Sequence, residues 1–281
     1  MSERSLLAVE AHPDDESIGV GGTLARYAAE GVRTTLVTAT RGERGEILDK
    51  TLDPKEARPR LGAIREAELR EACRILKVSE LVFLEYQDSD MYGRRGNRSP
   101  RAFWRADLHE AIGRLIAVVR RVKPQVIIAD NEMGTYGHPD HMNAHRVAVG
   151  AYFMAHDVKL YPDGEPWQPL KLYYRSISAS AARELGALMR EAGRESFGED
   201  GEGWNMATPD ERITTRIDVQ PYLEQKIAAM RAHRTQIPED SWFMDVYRTV
   251  GPRAWNREEF ERVRSLVAAS TPETDLFAGI A

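Results

Sequence analysis

The chain has one cysteine, Cys73, in 281 residues. That excludes a disulfide framework and suits a reducing compartment, so the cytoplasm is the expected location. No apolar run approaches the roughly 20 residues of a membrane span. The opening "MSERSLLAVEAHPDD" reaches its acids after an apolar run too short for a signal-peptide core, so no membrane partner is expected. Neither sign of charge dominates: 39 basic residues against 44 acidic ones leave −5, which argues against nucleic acid as a general partner. Internal repeats and low-complexity tracts are missing too. What is present, 42% hydrophobic and 30% charged residues, is the composition of a globular protein able to bury a proper core. A homo-oligomer is compatible with it.

Strand and helix patterns alternate through the first half. "SLLAVEA" (5–11) and "QVIIAD" (125–130) read as buried strands, and "VRTTLVTAT" (32–40) and "ELVFLEY" (80–86) as further strands. Between them, "GGTLARYAAEG" reads as a helix with a terminal glycine, and Leu61, Ile64, Leu69, Ala72, Ile75 and Leu76 recur at helical spacing. Leu108, Ile112, Leu115, Ile116 and Val119 share one face of another helix. This rhythm predicts an α/β fold, a Rossmann-like, mostly parallel sheet with helices on both faces. Beyond residue 157 the rhythm stops. "KLYYRSIS" and "RITTRIDV" read as strands, "GRESFGEDGEGWNMATPDE" as a loop, and Leu223, Ile227 and Met230 as a helix. "NREEFERVRSLV" reads as a helix opened by Asn256 and Glu259 in capping-box spacing. The expected organisation is a catalytic core over 1–156 and a C-terminal α+β extension over 157–281 that completes the substrate pocket within one folding unit.

Against this background "VEAHPDDESIGVGG", from Val9, is an odd way to leave a strand, because Asp14, Asp15 and Glu16 stand side by side. Adjacent carboxylates repel unless something positive sits among them. A second such stretch, "YGHPDHMNAH" (136–145), follows "VIIAD", and the two loops hold four of the seven histidines. Ligands in open parallel sheets sit beyond the carboxyl ends of the strands, which is where both loops fall. Imidazoles with a carboxylate are the usual ligands of a catalytic zinc, and iron(II) suits the same donors. A divalent metal is thus the positive charge these acids call for.

"AHPDDE" paired with "GHPDH" resembles the LmbE and PIG-L family of metal-dependent N-deacetylases and amidases. "GERGEI", "IREAEL", "QDSDM", "LYPDGEPW", "KLYY", "ITTRI", "RAHRTQI" and "DLFAG" extend the likeness along the chain, closest to the mycothiol S-conjugate amidase branch. The resemblance implies that His12, Asp15 and His141 ligate the metal and that Asp14 is the general base. It implies that His138 protonates the leaving amine or steadies the oxyanion with Asp140 orienting it, and that Tyr136 contributes a hydroxyl. Arg65 and Asp88 match substrate contacts, and Glu43, with Glu46, lies in the same crevice. The implied substrate is a small amino-sugar or thiol conjugate whose amide is hydrolysed. The alternative is deacetylation of an N-acetylglucosaminyl-inositol or other N-acetylglucosaminide, and the alternative of a different class is a non-catalytic, metal-containing binding protein.

His145 lies one helical turn beyond His141 and competes for a ligand place, although the flanks lack the HExxH glutamate. The "GVGG" glycines miss the dinucleotide-binding pattern because Leu24 holds its last position. Gly19 stands where the amidase branch commonly carries lysine. In "DMYGRRGNRSPRAFWR" (90–105) five arginines alternate with Tyr92, Phe103 and Trp104. The stretch reads as a solvated loop or as a lid whose arginines would favour an anionic substrate.

Overall fold

Leu6 to Val9 place apolar side chains on both faces of the first strand, β1 (Ser5–Glu10), which is buried along its whole length. Such a strand needs cover on both sides. In the computed structural model, which describes residues 3–194 and 207–281, that cover is two separate cores. Leu7 and Val9 face Ile112, Leu115, Val147 and Ala151. Leu6 and Ala8 face Leu24, Leu69, Leu76 and Ala229.

The other strands are β2 (Arg33–Thr40), β3 (Glu80–Tyr86), β4 (Val126–Ala129), β5 (Lys171–Ser176), β6 (Thr215–Asp218) and β7 (Arg257–Ser265). They form one sheet in the order β3-β2-β1-β4-β5-β7-β6. The first five are parallel, while β7 runs antiparallel to both β5 and β6. The helices are α1 (Asp15–Gly19), α2 (Gly21–Ala29), α3 (Pro54–Ala57), α4 (Leu61–Leu76), α5 (Leu108–Val122), α6 (Gly134–Gly137), α7 (Pro139–Met154), α8 (Ala179–Glu191), α9 (Leu223–Ala232) and α10 (Trp242–Val250). None of the described helices is long and apolar enough to cross a membrane.

From β1 the chain builds outward through β2 and β3, then returns to place β4 on the other side of β1. That reversal opens a crevice between the loops after β1 and β4, and both histidine-rich loops enter it. The parallel part of the sheet extends past residue 156, since β5 pairs with β4.

The stretch "NREEFERVRSLV" is a strand, β7, and not the expected helix. It lies between β5 and β6, so its backbone is paired along both edges. Its acids are also consumed by partners remote in sequence. Glu258 accepts from the Gly22 and Thr23 amides at 2.9 and 2.8 Å and from Lys226 Nζ at 2.6 Å. The Asn256–Glu259 spacing is a local signal, and sheet pairing overrode it. Most of the glycine- and acid-rich loop expected over 193–211 lies outside the described residues.

Candidate active and metal site

Two non-glycine residues with left-handed backbone shape the two loops. Asp14 has φ 115° and Thr135 has φ 59°. Such conformations cost on the order of 1–3 kcal/mol each and persist where surrounding contacts enforce them. At Asp14 the contact is Arg65, whose guanidinium reaches the Pro13 carbonyl, the Gly42 carbonyl at 2.6 Å and Asp14 Oδ2 at 3.1 Å. Thr135 Oγ1 donates to Asp130 Oδ1 at 2.6 Å. Four residues on, α7 starts with Pro139 at its first position and His138 as its N-cap. The Asp140 amide donates to His138 Nδ1 at 3.1 Å, which leaves Nε2 to carry the proton of the neutral ring.

His12, Asp15 and His141 converge in the crevice. Asp15 Oδ2 is 3.7 Å from His12 Nδ1 and 3.4 Å from His141 Nε2. The second nitrogen of each ring is held by a carboxylate: His12 Nε2 lies 3.1 Å from Asp140 Oδ2, and His141 Nδ1 lies 2.7 Å from Asp130 Oδ2. Metal-bound histidines are oriented in this manner, so the donor set suits a divalent cation. Ligand atoms of His12, His138 and His141 also gather within 4.8 Å, as do those of His12, Asp88, His138 and Asp140. In the set with Asp15, both histidines offer the nitrogen that no carboxylate holds.

The electrostatics agree with a site short of positive charge. Burial pushes His12 down, yet Asp140, Asp88 and Asp15 together raise it to about 9. Burial raises Asp15 and Asp88, but neighbouring cations and backbone amides bring both below the usual carboxylate range. Asp14 behaves differently. Burial outweighs Arg65, and Asp15 adds repulsion, so its carboxyl is raised to about 6. His138 is lowered to about 4 by burial and by the charges of His12 and His141.

The Asp140 carboxylate accepts from Ser89 N at 2.8 Å and from Ser89 Oγ and faces His12; it lies within 4.8 Å of a His138 ring nitrogen, while its backbone amide makes the hydrogen bond to that ring. Arg65 is buried, with its Nη groups on the Gly42 and Pro13 carbonyls and on Asp14 and its Nε without a partner. Asp88 is buried 3.9 Å from His12 Nε2, and its amide donates to Glu43 Oε1 at 3.1 Å. Glu43 Oε2 is buried without a partner, whereas Glu46 is exposed. The Tyr136 hydroxyl is 3.5 Å from His141 Nε2 while its ring stays largely open to solvent; burial of the hydroxyl end and the charges of Asp15 and Asp14 raise its pKa. His145 turns away, with Nδ1 3.0 Å from the Asp130 carbonyl and its ring on Tyr174. The loop over 90–105 leaves Arg94, Arg95, Arg98, Arg101 and Arg105 exposed.

Three residues the sequence reading left without a role belong to this site: Asp130, Ser89 and Arg175. Asp130 ends "VIIAD", so its place at a strand terminus was a usable signal. Ser89 and Arg175 carried none, since each reaches the site only through tertiary contacts.

Residues 7–152 match the family described as PIG-L, GlcNAc-PI de-N-acetylase. A protein of Acidothermus cellulolyticus named 1D-myo-inositol 2-acetamido-2-deoxy-alpha-D-glucopyranoside deacetylase is 45% identical over 99% of this chain and 95% of its own. Among solved structures, the N,N'-diacetylchitobiose deacetylase of Pyrococcus horikoshii superposes with a TM-score of 0.66 at 21% identity, over 94% of this chain and 85% of its own. GalB of Pseudomonas putida KT2440, a 4-carboxy-2-hydroxymuconate hydratase, superposes with a TM-score of 0.62 at 21% identity, over 95% of this chain and 99% of its own. At that identity these two likenesses concern the fold alone.

Proposed function

This chain belongs to the PIG-L family of de-N-acetylases, and from that premise we propose that it hydrolyses the acetamide of an N-acetylglucosaminyl-inositol with a divalent metal, zinc before iron(II). The observation that carries the reaction is Asp14 standing beside the His12, Asp15 and His141 donors with a pKa raised to about 6, near the value a base needs at neutral pH. The substrate rests on the Acidothermus relative, whose name is that of the deacetylase. That relation favours the acetamide over the cysteinyl conjugate that the amidase likeness pointed to.

His12 Nδ1, Asp15 and His141 Nε2 would hold the metal, which would supply Lewis acidity to a carbonyl and to water. Asp14, fixed by Arg65, takes the proton from the attacking water. His138 stays neutral at pH 7 and presents Nε2–H, so it donates a hydrogen bond to the oxygen of the tetrahedral adduct; the Tyr136 hydroxyl is a second donor there. The protonated Asp14 then returns its proton to the departing amine, since a group with a pKa near 6 both accepts and gives at neutral pH. Asp88 and the free Glu43 Oε2 are acceptors for sugar or inositol hydroxyls.

The test compares initial rates on N-acetylglucosaminyl-inositol and on an S-conjugated cysteinyl form, with zinc-loaded protein. A clear preference for the acetamide, unchanged in Arg94→Ala/Arg95→Ala, is expected. A preference for the conjugate that this double variant abolishes would restore the amidase reading and assign those arginines to a lid.

A further inference from the structure

We infer that Arg175 is a positioning residue of the metal site, holding Asp130 and through it His141, and that Gly19 lacks a side chain because Arg175 fills the space one would need. The inference rests on the metal-site reading above. Arg175 projects from β5 and is buried among acids that come from three other elements. Its Nη2 lies 2.7 Å from Asp130 Oδ2 and 4.0 Å from Asp15 Oδ1, and its Nε lies 3.4 Å from Glu10 Oε2. Nη2 is also 3.2 Å from His141 Nδ1.

Asp130 is therefore gripped at both oxygens, by Thr135 on Oδ1 and by Arg175 on Oδ2, while the same Oδ2 contacts His141 Nδ1. Oδ1 also accepts from the Asn131 amide at 2.9 Å, so removing Arg175 leaves Oδ1 held and takes from Oδ2 its one charged partner, which loosens the hold on His141 and on the direction of its Nε2. A lysine could not fully replace this guanidinium, because a single ammonium lacks the planar group that donates to Asp130 while lying 3.4 Å from Glu10.

Gly19 supplies the independent observation. A Cβ built there lies 2.5 Å from Arg175 Nη1 and 3.1 Å from Arg175 Cδ. The Gly19 φ is not positive, so backbone geometry does not call for glycine, and a helical position ordinarily favours alanine. Occupied space is the remaining reason. Any side chain at position 19 must displace the guanidinium, so a lysine there and Arg175 in this pose exclude each other.

The test measures zinc affinity by chelator competition, with the melting temperature of the metal-free protein as a control for folding. Arg175→Met is expected to weaken zinc about 10- to 100-fold, the usual effect of removing a group that orients a ligand, with Arg175→Lys between it and the parent. Gly19→Ala is expected to weaken zinc as well, but to add little on top of Arg175→Met, since the atom it collides with is gone. A merely structural arginine would lower the melting temperature and leave zinc affinity where it was. Parent-like affinity in Arg175→Met, or losses from the two substitutions that multiply, overturns the inference. Should Arg175→Met fail to fold, parent-like affinity in both Gly19→Ala and Arg175→Lys overturns it equally. Failure of the metal-site reading looks different: the parent and His141→Ala would then bind zinc alike.

Discussion

Asp14 and Asp15 are chemically identical neighbours with opposite electrostatics. Asp15 faces His12, His141 and Arg175 and is driven toward ionisation, whereas for Asp14 burial and the Asp15 charge outweigh Arg65, His233 and His12 and leave it at about 6. One therefore suits a ligand and the other a base. Asp14→Asn is expected to keep zinc and lose on the order of 100- to 10,000-fold in turnover, read by metal content and kcat on the same preparation. Normal turnover in that variant would reverse the two roles. The pH profile carries the same sign. The base works ionised, so kcat/KM should fall as pH drops through the Asp14 pKa, and a dication beside it moves that limb to about 6 or below. A limb above pH 7 would point to another group.

At the scale of elements, a buried ion network ties β5, β6 and β7 to the segment that follows β7. Lys171 at the start of β5 is buried and donates to Glu273 Oε1 at 2.7 Å, while Tyr173 and Thr215 donate to Oε2 at 2.8 and 2.9 Å. Arg262 of β7 adds an ion pair at 2.7 Å. Glu273→Ala leaves Lys171 uncompensated and should destabilise by about 3–5 kcal/mol, measured by urea unfolding at pH 7. Replacing both partners, Lys171→Met with Glu273→Leu, should recover part of that loss. Burial raises the Glu273 pKa, but Lys171, Tyr173 and Thr215 outweigh it and leave the folded value below the ordinary 4.5. Its contribution is therefore present above the unfolded pKa and lost as pH falls through the folded one. The difference between parent and Glu273→Ala should shrink in acid.

For the whole molecule, the site lies where strand order reverses, and its donors come from loops more than 120 residues apart in the chain. A cation bound there ties the end of β1 to the start of α7, so binding is linked to global stability. Zinc at 100 times its dissociation constant should add about 2.7 kcal/mol and raise the melting temperature by about 5–10 °C. Chelation should reverse the gain, and His141→Ala should show neither effect in a thermal scan. A zinc-dependent shift retained by His141→Ala would remove that residue from the ligand set.

The alternation of strands and helices through the first half, the covering of both faces of the sheet and the two histidine loops at strand ends were legible in the sequence, because each rests on local periodicity or on residues close together in the chain. Which nitrogen of each histidine is free was not, since Asp140 decides it for His12 from across the crevice and Asp130 decides it for His141 through the fold of the loop between them. The separation of Asp14 from Asp15 likewise depends on Arg65 and Arg175, which arrive from α4 and β5. The strand at β7 read as a helix because its charged residues match both a helix start and a strand, and only pairing with β5 and β6 chooses between them. Local spacing thus determined that a cluster of histidine and aspartate suited to a metal stands at the carboxyl edge of a parallel sheet. Tertiary contacts decided the electrostatics that suit one carboxylate to be a ligand and its neighbour to be a base, because burial and opposing charge act on each through neighbours that lie mostly far away in sequence.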